Sequence, residues 1–316
     1  MNQQVLRYVA GVGAANVDVY GRSRSPIVMR DSNPGYLGTS VGGVTRNILE
    51  NLARQGVRTA LLTAVGDDVY GEKILRDSAA AGIDVSHVLL KPGVGSSCYI
   101  AMLDERGDMM LAMSDMRIIS DLTGDYLNAN RALLQNAAAI VCDACLPCAF
   151  LDELVSGVAS GVRVLIDPVS TAYARSMEPI AGKFYGIKPN EMELAILSGK
   201  PTETETQVEL ACEELLNRGV TCVAVSRGSR GCYYADASGA RMFRALRPVE
   251  RMANATGAGD AFLAGFVHGL IDGVPLERQL DYALASGITA IESLSTINPE
   301  MSDARVKENI ELYRVL

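Results

Sequence analysis

The sequence predicts a doubly wound α/β fold, in which one mainly parallel β-sheet is flanked by helices and a small inserted β-sheet acts as a lid. Three observations carry this. Short β-rich runs alternate with amphipathic stretches of about ten to fifteen residues from one end of the chain to the other. Two segments break that rhythm with strands that no helix separates. Finally, 316 residues that are 48% hydrophobic and 21% charged carry enough apolar surface for a large core without disulfides or metals as staples.

In chain order, the first strand falls at about residues 6–12, and residues 16–20 read as the first lid strand. A helix over residues 43–55 stops at Gly56, and a strand over 59–65 follows. Residues 96–104 and 109–114 form two strands joined at the turn Glu105-Arg106-Gly107-Asp108. The lid is therefore made by about residues 16–40 and 95–118, as a small antiparallel sheet over the C-terminal edge of the main sheet, where open α/β folds bind ligands. Strands at 138–142, 162–166, 185–188 and 221–226 continue the parallel pattern, and helices at 257–271, 276–293 and 303–312 close it. No Pro- or Ser-rich linker, repeat or low-complexity tract interrupts residues 1–316, so a single domain is expected.

Composition excludes several classes of function. With 29 Lys and Arg against 37 Asp and Glu, the net charge of −8 and the scattered basic residues argue against nucleic acid and anionic membrane as partners. Two histidines, His87 and His268, leave little for a His-based triad or metal site. Arg7, Asn16 and Asp18 interrupt the first twenty residues, so no signal peptide is expected, and no run of about 18 apolar residues predicts a membrane span. Seven cysteines, an odd number, point to free thiols and the cytoplasm. Cys142, Cys145 and Cys148 have cluster-like spacing but run from a buried strand to a helix start, which favours small core and loop residues. No Gly-x4-Gly-Lys-Ser/Thr loop occurs, and the glycines at 11 and 13 lead into a strand rather than the helix a dinucleotide site needs.

The sharpest local signal is Asn254-Ala255-Thr256-Gly257-Ala258-Gly259-Asp260, ahead of a small-residue apolar run. Two glycines around one alanine let the backbone turn tightly into a helix whose first N–H groups have no intrahelical partner, which makes an anion hole at the positive helix end. Asp260 in the first turn would sit beside a bound phosphate and could take a proton from an attacking hydroxyl; the plain alternative is a helix-capping acid over tightly packed glycines.

Thr256-Gly257-Ala258-Gly259-Asp260-Ala261-Phe262 with Gly265 resembles the C-terminal signature of the ribokinase-like (PfkB) sugar and nucleoside kinases. About two hundred residues earlier, Gly42-Gly43-Val44-Thr45-Arg46-Asn47 resembles their N-terminal glycine-pair signature. Several further segments resemble the bacterial pseudouridine kinases within that family: Gly13 through Asp18, Asp31 through Gly35, Ser114-Asp115-Met116, Asp167-Pro168-Val169-Ser170 and Lys188-Pro189-Asn190-Glu191. The resemblance implies a ribokinase-like fold, ATP with Mg²⁺, and transfer of the γ-phosphate to the ribose 5′-hydroxyl of pseudouridine. A kinase for another nucleoside or sugar is the alternative, because lid changes alter substrate and leave both signatures intact. A nucleoside sensor without turnover belongs to a different class and is disfavoured by an intact Asp260 and anion hole.

Carried over by motif, Asp260 is the expected base, with the anion hole at Gly257, Ala258 and Gly259. Asn16, Asp18, Gly43 and Asn47 are expected to hold the ribose, since a cis-diol offers two donors and two acceptors in a small arc. Asn16 and Asp18 also suit a turn after a strand. Asn190, Ser226, Gly228, Gly257 and Gly259 are expected around ATP, with adenine along residues 283–290, and Glu191 holds Mg²⁺ through water. Asn190 reads equally as a helix N-cap, and the loop after Ser226 as a hairpin turn. Ser114 and Asp115 are candidates for the extra ring N–H of pseudouridine, against a lid-surface reading of Asp115. K⁺ is typical of the family, but Asn254 stands where many members have Asp. Apolar Tyr99, Ile100 and Met102 on the lid predict a homodimer through lid edges.

Overall fold

The computed structural model describes residues 7–247, 249 and 252–314; Leu6, the expected start of the first strand, lies outside them. The nine-stranded main sheet runs, edge to edge, Arg241–Arg244, Cys232–Asp236, Cys222–Ser226, Gly186–Ile187, Val164–Asp167, Ala139–Asp143, Tyr8–Val12, Arg58–Leu62, Ile83–Asp84. From Cys222–Ser226 to Ile83–Asp84 every neighbouring pair is parallel, and only the two strands beyond Cys222–Ser226 are antiparallel. Parallel strands are buried on both faces and read as unbroken apolar runs, such as Ala139-Ile140-Val141-Cys142.

The two-residue strand period divides these runs between two cores. Ala10, Val12, Ile140, Cys142, Val164 and Ile166 face one way, toward Leu151 and Leu154 of the Cys148–Gly157 helix and Leu194 and Leu197 of the Glu191–Ser198 helix. Val9, Ala139, Val141 and Leu165 face the other, toward Ile48, Leu49 and Leu52 of the Val44–Arg54 helix and Phe262, Phe266 and Val267 of the Ala258–Asp272 helix. The latter helix is buried from Ala261 to Ile271 and packs closely on Leu276–Ile291, where Gly265 lies so near that a Cβ would fall 2.3 Å from Tyr282 O.

The expected strand over 59–65 is divided. Arg58–Leu62 stays in the main sheet, while Ala64–Gly66 turns away to pair with Leu89–Lys91. The lid is a four-stranded sheet in the order Gly35–Gly42, Asn16–Ser23, Cys98–Leu103, Met109–Asp115. It is mixed rather than antiparallel: Asn16–Ser23 and Cys98–Leu103 run parallel, which the long crossover between them permits. The hairpin at Gly107 and the closing helices stand where expected. All seven cysteines are free thiols. Among the described residues no helix is long and apolar enough to cross a membrane.

Candidate active site

The Ala258–Asp272 helix begins directly after Gly257, whose φ of 81° suits glycine, and a Cβ there would fall 2.2 Å from Thr296 O. The first-turn N–H groups of Gly257, Ala258 and Gly259 gather at this helix start; Ala258 N already makes a long 3.3 Å contact to Ala255 O. Asp260 follows, partly open to the cleft. Its Oδ2 accepts a hydrogen bond from Asn47 Nδ2 at 2.9 Å, so the two glycine motifs meet. Desolvation, reinforced by the negative charges of Asp167 and Asp143, pushes the Asp260 carboxyl up to about 7, against the opposing pull of Asn47 and Lys188.

Behind the helix start lies a buried pair, Lys188 Nζ to Asp167 Oδ2 at 2.7 Å. Burial alone would discharge Lys188, but Asp167, Glu193 and Asp260 outweigh it and keep the ammonium charged. A Cβ on Gly259 would stand 3.0 Å from Nζ, so glycine at that position brings the cation up to the anion hole.

On the other side of Asp260, the lid strand Asn16–Ser23 brings Asn16 Nδ2 to 2.7 Å from Asp18 Oδ1. Gly42 and Gly43 leave room for this: a Cβ on Gly42 would meet Asp18 Oδ2 at 2.2 Å, and one on Gly43 would meet Ala14 O at 2.4 Å. Burial raises the Asp18 carboxyl, with Asn16 and the Arg46 charge opposing. Fully buried Asp143 ties these segments together, its Oδ2 accepting from Ala14 N at 2.8 Å and Thr45 N at 3.1 Å.

A cavity of about 510 Å³ opens beside the same helix start, within the range of small-molecule sites. Ser226, Gly228 and Gly259 line it, as do Leu284, Gly287 and Ile288 from the stretch expected to hold adenine. Ser226 ends its strand, and the Gly228–Arg230 turn closes the hairpin.

Of the expected residues, Asn190 takes the helix-cap place that was its second reading, while Glu191 and Asp115 are placed differently. Glu191 is engaged by the buried Arg227, whose Nε lies 2.9 Å away, and by Arg230, so its carboxylate is held in an ion cluster. Asn190 caps the Glu191–Ser198 helix through a capping box with Glu193, which is the buried acid next to Lys188. Asp115 lies on the opposite lid face from Asp18, because Asp18 pairs with Tyr99 and Tyr99 with Ser114. Its carboxylate is held by the neighbouring Arg117, whose hydrogen bonds pull it down to about 2. Ser114 therefore keeps its place on the cleft side and Asp115 does not. The same alternation turns Tyr99 toward the cleft and leaves Ile100 and Met102 on the outer face. Asn254 bridges two loops, accepting from Thr256 N and donating to Leu294 O.

Sequence reasoning left Lys188, Asp167, Asp143, Glu193 and Arg46 without a site role. A signal was present for the two aspartates, since each ends an apolar strand at the ligand-bearing edge of a parallel sheet.

The model of the pfkB family carbohydrate kinases matches residues 6–303. The chain belongs to this family. It is 34% identical over 308 residues to the pseudouridine kinase of Escherichia coli strain K12, covering 96% of each chain. A crystal structure of a putative sugar kinase from Clostridium perfringens superimposes with a TM-score of 0.87 at 31% identity, covering 97% of this chain and 96% of that one. A putative ribokinase II from E. coli in complex with ATP and Mg²⁺ gives 0.83 at 20% identity, covering 97% and 100%. The fold of this PfkB kinase is thus ribokinase-like, and its two signature motifs converge on Asp260.

Proposed function

We propose that this PfkB-family enzyme transfers the γ-phosphate of ATP to the ribose 5′-hydroxyl of pseudouridine in the cytoplasm. One observation carries the chemistry: a carboxyl near neutrality, Asp260, stands at a helix N-terminus between a nucleotide-sized cavity and a cluster of ribose-type ligands. Similarity to a pseudouridine kinase over nearly the whole chain supports the choice of substrate.

In this reading Asp18 and Asn16 engage the diol and Asn47 holds the Asp260 carboxylate toward the 5′-hydroxyl. Asp260 takes the hydroxyl proton as the new O–P bond forms. The N–H groups of Gly257, Ala258 and Gly259, with Lys188 behind them, stabilise the charge on the transferring group, and positioning with electrostatics supplies most of the acceleration. Ser226 and Gly228 hold the ATP side, and Ser114 faces the base from the lid. Glu193, held through Oε2 by the Asn190 N–H at the helix start, is the acid that would hold a hydrated Mg²⁺. The ion supplies charge neutralisation on the phosphates when bound. The apolar outer face of the lid joins two copies into a homodimer.

ADP release with Mg·ATP is measured against pseudouridine, uridine, adenosine, ribose and fructose, in K⁺ and in Na⁺ buffer, beside Asp260→Asn. Selective turnover of pseudouridine, with kcat lower in the variant by about 10²–10⁴-fold and a much smaller change in KM, is expected. Turnover of another compound alone moves the substrate. Full activity in Asp260→Asn removes the base.

A further inference from the structure

The N-terminal signature contains a fully buried cation with no assigned part. Arg46, 4% exposed, donates through Nη2 to Glu50 Oε2 at 2.5 Å, through Nε to Ser78 Oγ at 3.3 Å and through Nη1 to Asn47 Oδ1 at 3.4 Å. Glu50 also pairs with Arg54 at 2.7 Å. Two guanidiniums therefore share one buried carboxylate, and the Arg46 charge acts on both Asp77 and Asp18. Packing alone does not call for such an ion, since an apolar side chain of similar volume fills a core without the desolvation penalty.

We propose that Arg46 is a positioning residue that fixes the Asn47 amide with its NH₂ toward Asp260. This rests on the reading of Asp260 as the base. An amide has a donor end and an acceptor end, and half a turn exchanges them. With Arg46, which can only donate, behind Oδ1, the flipped amide would set NH₂ against a guanidinium and a carbonyl oxygen against the Asp260 carboxylate. Both contacts are repulsive, so one orientation survives. Loss of Arg46 frees the amide, and Asp260 then faces a donor only part of the time. Asp167 and Asp143 continue to raise its proton affinity while the opposing pull of Asn47 weakens and that of Lys188 remains. The same substitution removes a positive charge that favours ionised Asp18 at the ribose.

The test compares Arg46→Lys, Arg46→Met, the charge-free Arg46→Met/Glu50→Leu pair and Asn47→Ala, alone and combined with the charge-free pair. The charge-free pair removes both ions of the closest contact and so avoids leaving Glu50 or Arg46 buried alone. Readouts are thermal midpoint, kcat and KM on whichever compound of the panel turns over, and the pH profile of kcat/KM. Folded protein with kcat/KM lower by about ten- to a hundredfold, an acid limb moved to higher pH and partial recovery in Arg46→Lys is the expected result. In the Asn47→Ala background the charge-free pair should add less than threefold, because the amide it orients is gone. Wild-type rates and pH profile in the charge-free pair, or a loss that multiplies in full with Asn47→Ala, overturns the proposal. If instead Asp260→Asn is fully active, the reading of the base has failed whatever Arg46 does.

Discussion

Asp260 is a carboxyl whose affinity for a proton is set by what the fold puts around it, with burial first and Asp167 next. Its ordinary value in an unfolded chain is about 3.9. The folded value, about 7, is higher, so the native state holds this proton more tightly than the unfolded state does. Stability from that proton is complete below about pH 4 and is lost as pH rises through about 7. Asp260→Asn cannot ionise and should melt several degrees above the wild type at pH 8, with the gap closing at pH 4; equal midpoints at pH 8 would speak against a buried, destabilised carboxylate. In the wild type, kcat/KM of the free enzyme should fall on the acid side of about pH 7. Much of this site was legible, because Asp260, Asn47, Asn16 and Asp18 sit in short motifs. Lys188 was not, since a lysine before Pro189 shows nothing of Asp167 until two parallel strands bring them together.

Elements fix which face a residue presents, and here small shifts in reading had large effects. Ser114 and Asp115 are neighbours in sequence and opposites in space, because a strand reverses its side at every residue. Glu191 and Glu193 differ by two positions, yet only the latter stands at the third residue after the Asn190 cap, where a glutamate folds back onto the cap N–H. That pattern was readable in Asn190-x-x-Glu193. The parallel pairing of Asn16–Ser23 with Cys98–Leu103 was not, since no local residue encodes a partner so far along the chain. The Ala258–Asp272 helix was legible because its glycines and its apolar run agree. Gly257→Ala tests its entry: the left-handed φ and the 2.2 Å approach to Thr296 O should cost about 1–3 kcal/mol of stability. It should also lower kcat more than it raises the KM for nucleoside; denaturant melts and initial rates decide, and unchanged values would show the turn to be tolerant.

At the scale of the molecule, two sheets divide the work. The main sheet ends in Asp143 and Asp167, the Ala258–Asp272 helix brings Asp260 beside the 510 Å³ cavity, and the lid carries Asp18 and Ser114. On the lid's far side Leu37, Gly21, Met102 and Leu111 lie in one cross-strand row, and Thr39, Val19, Ile100 and Met113 in the next. Leu37 is 83% exposed and Met113 68%, a flat apolar face of the kind that marks an interaction surface. Leu37→Lys/Met113→Lys should convert a dimer to a monomer in light scattering after size exclusion, and a wild type that is already monomeric removes the dimer proposal. The crossings between the sheets have a further consequence. Of the lid's four crossings, residues 13–15 lead in and residues 42–45 lead out beside the one Asp143 carboxylate that fastens both. A lid anchored so would swing about that point as a door does about its hinge. Asp18, close to the pivot, would travel little, while the far loops at residues 24–34 and 104–108 would sweep the widest arc. In the proposed reading the sugar end of the nucleoside would then be gripped first and released last, and the outer rim would set how quickly the pocket admits and expels it.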